Sequence, residues 1–290
     1  MFKNLFMSAG AMKAGTTWVY DKMKHHPQVS FCMEKEIHYF SHQAKVANTL
    51  ELKKRIQKSR RAINKMSRSL QQGDMSHIEF REGVSWYTEY MVDEISDDWY
   101  LNLFEKEKRE NSDIFCADFS NLSCFLQRDG WNHVRSLAKN LKVIYILRDP
   151  IGRLWSHYKF HLEASNNAQK NEPEKNFELF KRIISKPWFI RNSMYCENLE
   201  RLRGSLAESE FKTFYLDDFS SRPAETFDQV HQFLGISEFA YPGMDMKERK
   251  NSSLERELPD GWMELVKEVL DEEIVNLKSQ GLLHDNWTTF

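Results

Sequence analysis

The stretch NLFMSAGAMKAGTTWVYDKM, residues 4–23, changes character twice along its length. It opens with the apolar run NLFMSA, whose length and composition are typical of a buried strand. A loop bounded by Gly10 and Gly15 follows, and TTWVYDKMKHH at 16–26 is typical of a helix that stops before Pro27. A strand that runs through a glycine loop into a helix brings several backbone N–H groups to one point, so this stretch predicts an anion site.

The rest of the chain alternates between extended and amphipathic segments. The other predicted strands are VSFC (29–32), EIHYF (36–40), IFCADF (114–119), KVIYILR (142–148) and FKTFYLDDF (211–219), and the later predicted helices are 50–72, 149–164, 223–236 and 261–280. Strand–helix alternation with short connections favours a parallel sheet covered by helices on both faces. We therefore predict an α/β fold, with one P-loop-like domain over residues 1–290 and a helical insertion near 41–110.

Composition excludes some classes of partner. The formal net charge of the 290 residues is −2, which gives no overall attraction to nucleic acid or to a membrane surface. No apolar run approaches the ~20 residues of a membrane span, and the N-terminal sequence lacks the pattern of a secretory signal. The four cysteines show neither C-x-x-C pairing nor metal-ligand spacing. We expect a reduced, cytoplasmic protein without a bound metal; the sequence does not predict its oligomeric state.

The lysine of the glycine loop is displaced from the position that nucleoside triphosphatases use. Their loop reads G-x-x-x-x-G-K-[ST], whereas here Thr16 occupies the lysine position and Lys13 lies earlier in the loop. Thr16 and Thr17 add hydroxyl groups at the start of the predicted helix. For the two glycines alone, a structural turn before a helix is an equally good interpretation, but the preceding strand, the lysine and the threonine pair favour a phosphate site.

In its details, MKAGTTWVYDKM resembles the 5′-phosphosulfate loop of sulfotransferases that use 3′-phosphoadenosine 5′-phosphosulfate (PAPS). That family carries a K-x-G-T-T-W core and lacks the triphosphatase lysine. The resemblance implies that Lys13 supplies positive charge where negative charge develops as the S–O bond breaks. It also implies that the donor contacts Lys13, Ala14, Gly15, Thr16, Thr17 and Trp18, with Trp18 against the adenine.

A second stretch, YILRDPIGRLWSHY at 145–158, resembles the 3′-phosphate segment of the same family, which implies that Arg148 and Ser156 bind that phosphate. Arg148 ends a predicted central strand, at the edge where open α/β sheets bind ligands, and its planar fork suits a phosphate. A structural salt bridge between Arg148 and Asp149 is the alternative.

Two weaker resemblances extend the predicted donor site. SMYCENLERLR at 193–203 resembles a family helix near the nucleotide, which implies a contact from Tyr195. ERKNSS at 248–253 partly resembles an R-K-G element near the 3′-phosphate. It implies contacts from Arg249 and Lys250, although Asn251 stands where glycine is usual.

The segment KEIHYF at 35–40 resembles the EPHFF-type stretch of carbohydrate sulfotransferases, in which a glutamate is the catalytic base. If the segment is extended, Glu36 and His38 point to one face and Lys35 to the other. We therefore predict Glu36 as the base, with His38 as a second candidate or as the residue that orients it. An ion pair of Glu36 with Lys35, and a purely structural His38, are the alternatives.

The stretch CADFSNLSCF at 116–125 loosely resembles an acceptor-contacting segment of the carbohydrate branch, which implies acceptor contacts from Asp118 and Ser120. The helix predicted at 50–72 carries eight Lys and Arg residues between positions 53 and 68. These could hold an acidic acceptor, but a charge-rich helix is more often a solvated face. The run lacks interleaved aromatic residues, so we do not expect nucleic-acid binding.

Together, the resemblances imply a PAPS-dependent sulfotransferase, closer to the carbohydrate (heparan-sulfate-type) and bacterial branch than to the cytosolic small-molecule branch. It would transfer a sulfuryl group to a hydroxyl or amine of a small molecule or glycan and release adenosine 3′,5′-bisphosphate (PAP). One alternative is a P-loop small-molecule kinase that uses ATP–Mg²⁺, with Asp118 as the metal ligand. Another is a nucleotide-binding protein without catalysis.

Overall fold

The computed structural model describes residues 1–92, 94–165, 167, 172–246 and 257–287. Two predicted donor-binding residues, Arg249 and Lys250, lie outside the described residues.

A five-stranded parallel sheet forms the centre of the fold. Its strands are β1 (Phe2–Gly10), β2 (Val29–Phe31), β3 (Phe115–Asp118), β4 (Ala138–Leu147) and β5 (Phe211–Tyr215). They lie in the order β2-β3-β1-β4-β5, and every neighbouring pair is parallel. The predicted fold class, an α/β domain with a central parallel sheet flanked by helices, is confirmed.

Helices connect the strands and cover the sheet. They are α1 (Thr16–Met23), α2 (Tyr39–Gln43), α3 (Leu52–Gln72), α4 (His77–Tyr90), α5 (Asp97–Asn102), α6 (Lys106–Glu110), α7 (Arg128–Leu137), α8 (Pro150–Ala164), α9 (Phe177–Ile184), α10 (Pro187–Ile190), α11 (Tyr195–Ser205), α12 (Leu216–Ser221), α13 (Pro223–Leu234) and α14 (Asp260–Ser279), with 3-10 turns at Asn121–Phe125 and Pro173–Lys175. Helices α2 to α6 occupy the connection from β2 to β3, where the sequence predicts a helical insertion. Among the described residues, no helix is both long enough and apolar enough to span a membrane.

Two of the predicted extended segments differ from the structure. EIHYF is not a strand, because its first residues are irregular and Tyr39 begins α2. FKTFYLDDF is a strand only as far as Tyr215, after which α12 begins. The first difference changes the geometry of the site.

The core has two parts. The larger surrounds the sheet, whose central strands β1 and β4 are almost entirely buried, as expected for strands covered on both faces. The smaller packs α8, α9 and α14 together, with Leu154, Phe180 and Leu270 fully buried at its centre. The late amphipathic helix α14 therefore packs against α8. Helix α8 begins directly after β4.

Candidate active site

The predicted site residues at the ends of β1, β3 and β4 meet at one edge of the sheet. In the parallel register, Met7 of β1 lies beside Asp118 of β3, and Gly10 lies beside Tyr145 of β4. The glycine loop after β1 therefore lies between the ends of β3 and β4. This carboxyl edge is where open α/β sheets bind ligands.

The glycines of the loop are required by its geometry. Gly10 has a φ of 136°, and a Cβ there would lie 3.0 Å from the carbonyl oxygen of Asn121. Gly15 has a φ of 85°, and a Cβ there would lie 2.4 Å from a methyl carbon of Leu216. Because Gly15 cannot cap α1 with a side chain, no side-chain cap competes with an anion for the N–H groups of Thr16 and Thr17.

Lys13 lies in the loop with a left-handed backbone, at a φ of 68°. Its ammonium group lies over the ring of Phe160, 4.6 Å from the centroid. Burial lowers the pKa of Lys13 below its ordinary value of 10.5, and nearby Arg148 and Lys35 act in the same direction. A cation held in such surroundings gains from the approach of an anion.

Lys35 is the residue that the sequence analysis missed. Its Nζ donates to the hydroxyls of Thr16 and Thr17, both at 3.0 Å, and to Oε1 of Glu36 at 2.8 Å. The prediction that Lys35 points away from Glu36 is wrong, because it assumed a strand where the chain is irregular. The feature of the sequence that could have indicated its role is its position directly before Glu36, the proposed base.

Glu36 lies in a network of donors. Besides Lys35, it accepts from Nε2 of His38 and from the side-chain amide of Asn121, each at 3.1 Å. Burial alone would raise the pKa of Glu36, but Lys35 and His38 outweigh it and lower the pKa to about 2. The predicted pairing of Glu36 with His38 is present, and so is the alternative ion pair with Lys35. In this arrangement Glu36 is ionised but only weakly basic.

Asp118 and Ser120 hold the segment that carries Glu36. The N–H of Ile37 donates to Oδ1 of Asp118 at 3.4 Å, and the N–H of His38 donates to the Ser120 hydroxyl at 2.7 Å. Ser120 in turn donates to Asp118 at 2.5 Å, and Tyr100 donates to the other Asp118 oxygen at 3.1 Å. Both side chains are buried. The two residues therefore position the backbone of the segment that carries Glu36, and their expected acceptor contacts stay a prediction.

Arg148 approaches the loop from the end of β4. Its guanidinium donates to the carbonyl of Lys13 at 3.0 Å, so the two predicted phosphate motifs are in contact. Asp149, the alternative partner of Arg148, caps α8 by accepting from the N–H groups of Ile151 and Gly152. Ser156 lies buried on α8.

Two predicted nucleotide contacts lie deeper than expected. Tyr195 is fully buried and donates to the carbonyl of Arg148 at 3.0 Å, so it supports the arginine backbone. Trp18 is only 3% exposed and packs edge-on against Phe219 in the core. These contacts fix Arg148 and α1 at the site, and the expected nucleotide contacts of both residues stay a prediction.

Three cations therefore meet around one loop: Lys13 within it, Lys35 on its threonine side and Arg148 beneath the backbone of Lys13. The start of α1, which no side chain caps, adds backbone N–H groups that also carry partial positive charge. This set of donors suits an anionic ligand.

Comparison with known sequences identifies the family. The sequence profile described as the Sulfotransferase family matches residues 6–240. The chain belongs to the sulfotransferase family. No curated protein sequence gives a significant match to it.

Solved sulfotransferase structures share its fold. A sulfotransferase from Alicyclobacillus acidocaldarius superposes with a TM-score of 0.61 at 18% identity, covering 99% of this chain and 99% of that one. The sulfotransferase domain of the Synechococcus PCC 7002 olefin synthase gives a TM-score of 0.56 at 14% identity, covering 96% and 94%. A sulfotransferase domain from the curacin biosynthetic pathway gives 0.52 at 13% identity, covering 98% and 93%. At these identities the likeness concerns the fold; it does not confirm the expected carbohydrate branch.

Proposed function

We propose that this sulfotransferase transfers the sulfuryl group of PAPS to a hydroxyl or amine of a small-molecule or glycan acceptor, with residues 1–290 acting as one sulfotransferase domain. The observation that carries the proposal is the bridge made by Lys35, whose ammonium joins the threonine hydroxyls of the loop to the carboxylate of Glu36. It links an anion site to a candidate base within one hydrogen-bonded group.

Each end of the donor has residues that fit it. PAPS supplies an activated sulfuryl group on a 5′-phosphate. Thr16, Thr17 and the first-turn N–H groups of α1 would bind that phosphate, while Lys13 stabilises the charge that develops on it. Arg148 and Ser156 would bind the 3′-phosphate at the start of α8.

Movement of Lys35 would explain how the weakly basic Glu36 becomes a better base when the donor binds. An anion at Thr16 and Thr17 competes with Glu36 for the ammonium of Lys35. As Lys35 turns toward that anion, Glu36 loses its strongest charge partner and its pKa rises. The donor site thereby prepares the base, which takes the acceptor proton while His38 and Asn121 keep the carboxylate in place.

The kinase alternative is not favoured. A kinase needs a lysine after the second glycine and a carboxylate free to hold Mg²⁺. Thr16 occupies the lysine position, and both oxygens of Asp118 accept hydrogen bonds from Tyr100, Ser120 and Ile37.

Thermal unfolding with two ligands tests the donor class. A ligand at 100 times its Kd stabilises the folded state by about 2.7 kcal/mol, which raises the Tm by roughly 5 °C. We expect this shift with PAP and not with ATP–Mg²⁺. Transfer of ³⁵S from labelled PAPS to an acceptor mixture then tests the activity. A shift with ATP–Mg²⁺ alone would contradict the proposal.

A further inference from the structure

Two glutamates flank Lys35 in the chain, and Lys35 pairs with only one of them. Its ammonium lies 2.8 Å from Oε1 of Glu36, whereas within the described residues it forms no ion pair with Glu34. A lysine ammonium is carried on a flexible four-carbon stem, so it can turn toward either of two neighbouring carboxylates. A feature of the structure must therefore favour Glu36 over Glu34.

The carboxylate of Glu34 is occupied by the helical insertion. Nζ of Lys58, on α3, lies 2.8 Å from Oε2 of Glu34. The hydroxyl of Tyr87, on α4, donates to Oε1 of the same carboxylate at 2.7 Å. Each oxygen of Glu34 therefore has a donor of its own from outside the segment that carries Lys35.

Lys58 also contacts the chain on the other side of Lys35. Its ammonium donates to the backbone carbonyl of Glu36 at 3.3 Å. Burial alone would lower the pKa of Lys58, but the ring of Tyr90, 5.8 Å away, and the carboxylate of Glu34 raise it above its ordinary value of 10.5. Lys58 is therefore a cation that balances the charge of Glu34.

The two donors are held in a fixed relation because α3 and α4 pack closely. A Cβ on Gly83 of α4 would lie 2.6 Å from Sδ of Met66 on α3. Arg55 of α3 is buried and donates to the backbone carbonyls of Tyr90 and Val92, at and just beyond the end of α4. The pair of helices therefore presents both donors to the carboxylate as one unit.

We propose that Lys58 and Tyr87 are positioning residues for sulfuryl transfer, because they occupy the carboxylate of Glu34. With that carboxylate occupied, the ammonium of Lys35 stays available to Glu36 and to the threonine hydroxyls of the donor loop. The inference rests on the proposed function, in which Lys35 turns toward the 5′-phosphate of the donor. A free Glu34 carboxylate would hold Lys35 away from that phosphate.

Removal of the Lys58 charge tests the inference. Lys58→Met leaves one oxygen of Glu34 without its donor, so Lys35 should divide between two carboxylates. We expect the Kd for PAP and the KM for PAPS to rise by about 10-fold, as when a charge-assisted hydrogen bond is weakened, with less than about a 2-fold change in kcat. Calorimetry measures the Kd, and ³⁵S transfer to an acceptor mixture measures the kinetic constants. Because Lys58 is 40% exposed, its ion pair adds little stability and the variant should fold with a nearly unchanged Tm.

A second substitution separates this role from a purely structural one. Glu34→Gln removes the competing charge and keeps the hydrogen bond from Tyr87. Lys58→Met combined with Glu34→Gln should therefore bind PAP within about 2-fold of the wild type. Lys58→Arg should also keep the wild-type affinity, because a guanidinium pairs well with a carboxylate. Tyr87→Phe frees one oxygen while the charge of Lys58 remains, so it should weaken PAP binding less than Lys58→Met does.

Lys54→Met is the matched control. Lys54 lies on the same helix and pairs in the same way with a glutamate, Glu51 at 3.3 Å, but at the exposed start of α3. The inference is overturned if Lys58→Met binds PAP as Lys54→Met does, if the double variant stays as weak as Lys58→Met, or if kcat falls while KM is unchanged.

These outcomes distinguish the two proposals. In each of them PAP still binds the wild-type protein, so the proposed donor site stands and only the role of the insertion is wrong. If PAP does not bind the wild-type protein, both proposals fail.

Discussion

Lys13 and Lys35 approach the loop from different directions, and substitution should separate their contributions. Lys13 is in the loop and partly desolvated, so its charge matters most as the leaving phosphate develops charge. We expect Lys13→Ala to lower kcat by about 10²-fold or more, with a much smaller change in the Kd for PAP. Single-turnover kinetics and calorimetry measure the two effects. A variant with weaker PAP binding and an unchanged kcat would show that Lys13 only binds the donor.

The base is distinguished by comparing Glu36 with His38. Glu36→Gln keeps size and hydrogen bonding but removes basicity, so kcat should fall by about 10²-fold or more while PAP binding persists. His38→Ala should cost less, because His38 orients Glu36 through one hydrogen bond. If His38→Ala abolishes turnover and Glu36→Gln remains active, the base is His38.

The acid limb of the pH profile reports on Lys35. Glu36 is active when ionised, and Lys35 helps to lower its pKa to about 2 in the donor-free protein, so the wild-type kcat/KM for PAPS should hold down to low pH. Lys35→Ala removes that charge, the pKa of Glu36 rises, and the acid limb should move to higher pH. Lys53→Ala, on the exposed side of α3, is the control. An acid limb at the same pH in both variants would remove Lys35 from the role proposed here.

The position of Lys35 shows what the sequence could not predict at this scale. Alternation in KEIHYF predicts a strand, in which neighbours point to opposite faces. The actual path depends on hydrogen bonds from Ile37 and His38 to Asp118 and Ser120, which are distant in sequence. A pattern within six residues contains no information on partners so far along the chain.

Among the elements, the end of β3 contacts the segment that carries Glu36. A substitution of Ser120 tests whether this contact matters for catalysis. Ser120→Ala leaves the N–H of His38 without its acceptor, at a cost of about 1–3 kcal/mol. We expect kcat to fall by roughly 10-fold, with the Kd for PAP unchanged. Ser123→Ala is the matched control, because Ser123 is equally buried and its hydroxyl has no partner among the described residues. If both variants behave alike, Ser120 does not position the base.

Helix α3 shows how far periodicity predicts an element. Its existence and length follow from the sequence, but its buried face does not. Ile56 is 46% exposed, whereas Arg55 is buried and donates to the carbonyls of Leu50, Tyr90 and Val92. Arg55 is buried because it satisfies carbonyl groups around it. Lys58 pairs with Glu34 at 2.8 Å, so part of the basic run stabilises the insertion and is not available to an acidic acceptor.

At the scale of the molecule, the sheet order explains why widely separated motifs were predicted correctly to meet. β1 is flanked by β3 and β4, so the loop, the Asp118 end and Arg148 share the carboxyl edge. Alternation and short connections predict a parallel sheet from sequence, whereas the order of its strands comes from the structure. The pocket between α8 and α10 was not predicted, because its side chains follow no short motif.

The charge distribution of the whole site leads to a prediction on metal dependence. A phosphoryl-transfer enzyme of the P-loop class uses Mg²⁺ to neutralise adjacent phosphates. Here Lys13, Lys35 and Arg148 surround a loop that suits a single phosphate and its sulfuryl group, so protein cations can provide the neutralisation. We expect ³⁵S transfer from PAPS to continue after dialysis against EDTA, with less than about a 2-fold change in kcat, whereas a P-loop kinase would lose activity. Restoration of a lost activity by Mg²⁺ would show that these three side chains do not suffice, and would favour the kinase-like assignment of the loop.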